Sequence, residues 1–170
     1  DSRCYGGAVG MKILTFDTET STKNKGHPFT PENKLVCLGY KWLGEKTIIE
    51  EYDDELSSRF NDVLASSSLV VGFNIKFDLH WIRRIGCNLD NIRAIWDVQL
   101  AYFMLKCQNF PYPSLNEVAE EYGFGQKIDV IQNEYWDKGI DTDVIPKDVL
   151  YDYTAKDVEL TEDCFKHQYK

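Results

Sequence analysis

The 170-residue sequence lacks several features that would assign it to a common class of protein. It has no apolar run near the roughly 20 residues of a membrane-spanning helix, and no hydrophobic region typical of a secretory signal. Its three histidines are too few for a histidine-rich metal site. Basic residues are also scarce, because 19 Lys and Arg stand against 28 Asp and Glu and leave a net charge of −9. These shortages argue against a membrane partner and against broad, charge-driven wrapping of duplex nucleic acid.

The five cysteines are scattered, odd in number and form no C-x-x-C pair. This pattern argues against a disulfide framework and against a zinc site, and it favours reduced thiols in a cytoplasmic, soluble protein. Cys37, Cys87 and Cys107 lie in or beside apolar stretches. We expect these three to be core or near-core residues.

The chain has enough hydrophobic residues, at 43%, to bury a sizeable core. We expect one domain over residues 11–170, preceded by a tail at residues 1–10. Hydrophobic periodicity and turn residues predict strands at 12–16, 34–42, 47–52, 69–71 and 93–96. They predict helices at 54–65 (capped by Asp53), 77–86 (ending at Gly86), 97–106, 114–122 (capped by Ser114 and Glu117) and from Pro146 to about His167. Residues 125–145 are polar and ambiguous. Three antiparallel strands followed by strand–helix alternation predict an α/β fold with a mixed central sheet flanked by helices.

The first strand carries the first candidate site, in residues 12–20, KILTFDTET. Side chains two apart in an extended segment point to the same face, so Asp17 and Glu19 can converge at the carboxyl end of this strand. Two carboxylates at one point repel unless a proton or cation lies between them, and Mg²⁺ prefers such oxygen ligands. A solvated acidic strand end is the alternative for this motif alone.

Two further clusters carry acidic residues. In VVGFNIKFDLHW, Asp78 follows a buried strand and lies in the first turn of the next helix, where the helix dipole favours a charged carboxylate. In YDYTAKDVELT, Tyr153 and Asp157 are four residues apart and share one face of the last helix. Taken separately, Asp78 is equally well a helix-start residue. For Tyr153 and Asp157 alone, a packed ring and a solvated acid are the favoured interpretation.

Together the three clusters form the ordered set D-x-E, N-x-x-F-D and Y-x-x-x-D. Here the sequence resembles the DEDD superfamily of 3′–5′ exonucleases, in the branch with tyrosine in the last motif (DEDDy). It is most similar to the proofreading domain of family A, DNA polymerase I-like enzymes of bacteria and phages. VGFNIKFD, IWDVQLAYFML, SLNEVAEEYG and YTAKDVELT resemble that domain in the same order, and the resemblance covers roughly residues 11–170.

The resemblance implies a ribonuclease H-like (DnaQ-like) fold and a site for two Mg²⁺ or Mn²⁺ ions. By it, Asp17, Glu19 and Asp157 bind one ion directly, Asp17 also contacts the second, and Asp78 holds water ligands of that second ion. Tyr153 orients the attacking water. Such a role suits a phenol, whose ordinary pKa of about 10 makes it a poor base at neutral pH. Thr18, Asn74 and Phe77 match substrate-binding positions, while Asp97 matches a structural acid at a helix start.

The implied activity is hydrolysis at the 3′ end of single-stranded DNA with release of 5′-mononucleotides, as in proofreading. The implied partners are that DNA end and a polymerase domain in cis or in trans, for a monomeric chain in the cytoplasm or wherever DNA is replicated in a bacterial or phage-infected cell. Two alternatives stay open: an RNA-trimming exonuclease of the ribonuclease D type, and an inactive nucleic-acid-binding module with the same fold. Further candidate substrate contacts are Lys23, Lys25, His27, Lys76, Arg83, Arg84, Tyr122 and Phe124, for each of which a surface or packing role is the alternative.

Overall fold

A mixed five-stranded sheet forms the centre of the computed structural model, which describes residues 10–108, 111–125 and 130–170. The strands are β1 (Ile13–Thr20), β2 (Leu35–Trp42), β3 (Ile48–Glu51), β4 (Leu69–Gly72) and β5 (Ile95–Asp97). Their order in the sheet is β3-β2-β1-β4-β5, with β1, β2 and β3 antiparallel and β1, β4 and β5 parallel. The predicted α/β fold with an antiparallel first half is therefore confirmed. The expected tail falls almost wholly on residues 1–9, which lie outside the described residues.

The helices lie on both faces of this sheet. They are α1 (Leu56–Ser66), α2 (Ile75–Arg84), α3 (Val98–Leu105), α4 (Leu115–Glu121), α5 (Val130–Glu134) and α6 (Lys147–Gln168). The predicted capping box of Ser114 and Glu117 is present, and Gly86 follows α2 with a φ of +105° that glycine tolerates. The prediction for Asp53 was wrong by two residues, because Glu55 occupies the N-cap position of α1.

Strand alternation divides the core into two faces. Leu14 and Phe16 of β1 pack with Phe60 of α1 and Trp81 of α2. The opposite face carries Ile13, which packs in the cluster of α3, α4 and α6 side chains. Because neighbouring residues of a strand point to opposite faces, Asp17 and Glu19 lie on the α6 face and Thr18 lies on the α2 face. This division decides which helix each functional side chain meets.

A buried ion pair fixes α6 against the sheet. Lys41 Nζ of β2 lies 3.1 Å from Glu162 Oε1, and both side chains are almost fully buried. Glu162 also accepts a hydrogen bond from the Gly44 N–H at 3.2 Å and pairs with Lys166 on its own helix at 2.5 Å. Removing one partner of such a pair leaves an uncompensated buried charge, so the pair strongly constrains where α6 lies.

The cysteine prediction is confirmed in part. Cys37 and Cys87 are buried, as is Cys164. Cys107 is exposed, because it lies in the turn after α3 with a φ of +56° rather than on the helix. Across the described parts of the chain, none of the helices has the length and apolar character that a membrane span requires.

Candidate active site

Three carboxylates from distant parts of the chain meet at the carboxyl end of β1. Asp17, Glu19 and Asp157 each offer an oxygen, and these oxygens lie within 4.8 Å of one another. Glu19 is buried and Asp17 is partly buried. An all-oxygen donor set of high negative charge suits a hard divalent cation such as Mg²⁺ or Mn²⁺. The donor chemistry therefore fits the metal that the motifs predict.

The negative charge of this cluster affects the pKa of a neighbouring residue in the sheet. Cys37 pairs with Glu19 across β1 and β2. Burial, followed by the negative charge of Glu19, raises the pKa of the Cys37 thiol to about 12. Cys37 is accordingly a neutral packing residue behind the site rather than a nucleophile.

Asp78 reaches the site from the other face of the sheet and lies outside the group of three. Its Oδ1 accepts hydrogen bonds from the Thr18 N–H at 3.0 Å and from Thr18 Oγ1 at 2.5 Å. Burial raises the pKa of Asp78 to about 7, while the two hydrogen bonds from Thr18 act in the opposite direction. Thr18 thus ties Asp78 to the strand that carries Asp17 and Glu19. The contact of Thr18 with substrate stays a prediction.

Asn74 holds an unusual position at the start of α2. It is the N-cap residue, but its backbone is left-handed, with φ 53° and ψ 42°, and its side chain does not cap the helix. Its N–H donates to Asp97 Oδ1 at 3.1 Å, and the same oxygen caps α3 through Gln99 and Leu100. Asp97 therefore joins the starts of α2 and α3, as the structural role predicted for it requires. Strained backbone of this kind clusters at functional sites.

The loop between β1 and β2 contains three consecutive residues with positive φ: Asn24 (49°), Lys25 (56°) and Gly26 (69°). The Trp81 indole donates to the Gly26 carbonyl at 2.9 Å. Buried Asn33 donates to the carbonyl of Lys23 at 2.6 Å. A side chain at Gly26 would meet Thr20 Oγ1 at 2.6 Å, so this position has no room for a Cβ atom. Buried groups therefore hold the loop in a strained shape beside the carboxylates.

Among the candidate cationic contacts, the structure places Lys25 in the wall of the cleft. Lys23 instead pairs with Glu32 on the surface at 3.1 Å. The guanidinium of Arg84 donates to the carbonyls of Pro28, at 2.7 Å, and Thr30, at 2.9 Å, so Arg84 supports the loop, which favours the alternative to a substrate contact.

The aromatic candidates outside the motifs are not in the cleft. Tyr122 stacks on His167 with ring centroids 4.0 Å apart, and Phe124 contacts the edge of the same ring. Both belong to the side of the molecule formed by α4 and the end of α6. The lining of the cleft includes neither ring, so base stacking by Tyr122 or Phe124 is not supported.

One cleft of about 480 Å³ contains every residue that the motifs predict for the site. These are Asp17, Thr18, Glu19, Asn74, Phe77, Asp78, Tyr153 and Asp157. Gln132 and Trp136 also line it and were missed, because residues 125–145 gave no clear periodicity. The signal that could have marked Trp136 is a lone tryptophan in a polar segment shortly before the last helix.

A family model described as 3′–5′ exonuclease, of the DNA polymerase A type, matches residues 8–167. A search of curated protein sequences found no match.

Several solved structures have a similar fold. The family B DNA polymerase from the hyperthermophilic archaeon Pyrobaculum calidifontis matches with a TM-score of 0.65 and 20% identity, over 95% of this chain and 25% of the polymerase. Brucella melitensis NrnC with bound Mg²⁺ matches with a TM-score of 0.69 and 14% identity, over 94% of this chain and 72% of NrnC. NrnC bound to pGG matches with a TM-score of 0.66 and 14% identity, over 93% of this chain and 72% of NrnC. The chain thus spans about a quarter of the polymerase, and at these identities the likeness concerns the fold.

Proposed function

Because the chain belongs to the 3′–5′ exonuclease family of the DNA polymerase A type, with the ribonuclease H-like fold of such nucleases, we propose that it shortens single-stranded DNA from the 3′ end. The reaction is phosphodiester hydrolysis. Water adds to phosphorus and the bond between phosphorus and the 3′ oxygen breaks, which leaves a 3′-hydroxyl on the shortened strand and releases a 5′-mononucleotide. The observation that carries this proposal is the convergence of Asp17, Glu19 and Asp157 within 4.8 Å.

We give the side chains that line the cleft the roles that the family resemblance implies. Asp17, Glu19 and Asp157 would hold one Mg²⁺ or Mn²⁺ ion, and Asp17 with Asp78 would hold a second. Bound divalent ions activate water near neutral pH and stabilise the charge on the reacting phosphate. The phenol of Tyr153, one helical turn from Asp157, orients the water. Thr18 contributes by keeping the Asp78 carboxylate beside β1, through two hydrogen bonds to one oxygen.

Substrate contacts are assigned to the rest of the cleft. Phe77 is partly buried at its wall and offers an apolar surface for the terminal nucleoside. Asn74, with its exposed side chain in a left-handed turn, offers an amide for a hydrogen bond. Lys25 supplies positive charge at the mouth of an otherwise acidic cleft, which suits a substrate phosphate.

A degradation assay tests this proposal directly. Purified protein is mixed with a 5′-labelled single-stranded DNA and a matched RNA, with Mg²⁺, with Mn²⁺ or with a chelator. We expect metal-dependent shortening of the DNA one nucleotide at a time from the 3′ end, and no shortening by Asp157→Ala. Asp152→Ala is the matched control, since Asp152 lies on the same helix, is exposed and pairs with Lys156.

The outcomes separate the alternatives. Failure of both metals to support any shortening would refute the exonuclease and favour the binding module. Faster degradation of RNA would refute the DNA assignment while leaving the exonuclease intact. The proposed proofreading role, with a polymerase domain in cis or in trans, rests on the family match. It is tested by adding a mismatched primer end and comparing its removal with that of a paired end.

A further inference from the structure

Trp136 lies in a short 3₁₀ turn, Trp136–Lys138, between α5 and α6, and it lines the cleft beside Tyr153. The two rings are 5.9 Å apart between centroids, with an interplanar angle of 82°. This edge-to-face arrangement is a favoured geometry for aromatic pairs. The ring of Tyr153 therefore contacts a side chain from outside its own helix.

Trp136 is itself fixed by a chain of hydrogen bonds that ends at the site strand. Its Nε1–H donates to Thr142 Oγ1 at 3.1 Å, and Thr142 is fully buried. The Thr142 N–H donates to Asp141 Oδ1 at 2.7 Å. The same Asp141 oxygen accepts from the Thr22 N–H at 2.8 Å, two residues beyond the end of β1.

These contacts connect β1 with α6, the two elements that supply the site residues, and none of them involves the acidic cluster. β1 supplies Asp17 and Glu19, and α6 supplies Tyr153 and Asp157. Thr22, Asp141, Thr142 and Trp136 link the end of β1 to the ring of Tyr153. A side chain held in this way keeps one rotamer, which is what a group that must orient water requires.

We propose that Trp136 is a positioning residue that sets the orientation of the Tyr153 phenol, with Thr142 and Asp141 fixing Trp136 relative to β1. The proposal rests on the proposed function in one respect only, the role of Tyr153 in the hydrolytic step. The placement of the ring itself is a property of the metal-free protein. The two parts are therefore tested by different measurements.

The first measurement needs no activity. In protein labelled with ¹³C at the tyrosine rings, the Tyr153 resonance is assigned by its absence from Tyr153→Phe. We expect Trp136→Leu to move this resonance, and Trp136→Phe to move it less because an aromatic edge remains. Trp96→Leu is the matched control: the Trp96 Nε1–H donates to Gln168 Oε1 at 3.0 Å and its ring meets Phe165 edge-on, away from the cleft. An unmoved Tyr153 resonance in Trp136→Leu would overturn the proposal.

The second measurement is kinetic. Loss of one aromatic contact predicts that Trp136→Leu lowers kcat about 3- to 10-fold with KM nearly unchanged. In the Tyr153→Phe background the same substitution should change kcat less than about 2-fold, since the hydroxyl that it positions is gone. Thr142→Val should follow Trp136→Leu in direction, and Thr142→Ser, which keeps the hydroxyl acceptor, should restore the wild-type rate.

The following outcomes would overturn the positioning role of Trp136 or the proposed function. An effect of Trp136→Leu confined to KM would identify Trp136 as a substrate contact and overturn the positioning role. An equal effect on kcat in both backgrounds would overturn it as well, because Trp136 would then act independently of the Tyr153 hydroxyl. Should Trp136→Leu fail to fold, Trp136→Phe and the two Thr142 variants give the same comparison. A wild-type protein without activity would refute the proposed function, and the resonance measurement would then decide on the placement of the ring.

Discussion

Asp157→Asn should stabilise the metal-free protein and remove most of the stabilisation that a bound metal gives the wild type. Asp157 shares a cluster with Asp17 and Glu19 in which the donor oxygens lie within 4.8 Å. Two unit charges about 5 Å apart repel by roughly 3 kcal/mol at an effective dielectric constant of about 20, and by roughly 1 kcal/mol in water. Because Asp17 is only partly buried, the smaller figure is the better guide. Asp157 meets two such charges, those of Asp17 and Glu19, so we expect the metal-free variant to be more stable than the wild type by about 2 kcal/mol.

Bound metal should instead make the wild type more stable than the variant. A cation that binds only the folded protein, at about 100 times its Kd, stabilises the wild type by about 2.7 kcal/mol, or roughly 5–10 °C in Tm for a domain of this size. In Asp157→Asn the shift should fall below about 2 °C, because one of three ligands has lost its charge. The variant is then more stable than the wild type in a chelator and less stable in Mn²⁺.

Thermal unfolding in chelator and across a Mn²⁺ titration measures both effects. Asp152→Asn is the control, because it removes one acid from the same helix without touching the cluster. Its Tm should rise with Mn²⁺ as the wild type does. Equal metal shifts in the wild type and in Asp157→Asn would refute the assignment of Asp157 as a ligand. A metal-free variant less stable than the wild type would refute the argument from repulsion.

Three further predictions concern the cleft. Tyr153→Phe should slow single-turnover hydrolysis by about 10- to 100-fold, against more than about 1,000-fold for Asp157→Ala, and equal losses would contradict a water-positioning role. Lys25→Gln should weaken single-stranded DNA binding and reduce the slope of log affinity against log salt by about 0.7, whereas Lys23→Gln, whose lysine pairs with Glu32, should leave the slope unchanged. Burial raises the pKa of Asp78 from 3.8 to about 7, so the metal-free folded protein binds a proton that the unfolded chain releases, and its stability should fall as pH rises from about 4 through 7. Asp78→Asn should flatten that part of the profile in chemical unfolding experiments with chelator present, and an unchanged profile would contradict the shift.

Residues whose roles follow from local periodicity were predictable from the sequence. Asp17 and Glu19 share a face because strands alternate, and Tyr153 and Asp157 share a face because they are one helical turn apart. The order of strands and helices then gave the sheet that brings these two pairs together. The acidic cluster was predictable because local spacing sets each of the two pairs and the predicted fold brings the two pairs together.

Residues whose roles depend on tertiary contacts were not predictable in the same way. Arg84 is a surface cation in the sequence, and only the path of the loop turns it into a donor to the carbonyls of Pro28 and Thr30. Trp136 lies in a segment without periodicity, and its link through Thr142 to the site needs the 3₁₀ turns on either side. Cys107 followed an apolar helix and was expected to be buried, but the chain turns there with a positive φ. In each case the deciding contact depends on the path of the chain through a loop or turn, which local sequence spacing does not determine.

The negative charge of the molecule and of its cleft affects how metal and substrate bind. A protein of net charge −9, with Asp17, Glu19, Asp78 and Asp157 around one cleft, repels a polyanion unless cations are present. Lys25 is the single basic side chain in the described lining of that cleft, so it offsets only part of this charge. Under the proposed function, metal and substrate should then bind with positive coupling, because each reduces the repulsion that the other meets, and the coupling is reciprocal. Single-stranded DNA should accordingly raise the affinity for a divalent ion by the same factor by which that ion raises the affinity for DNA.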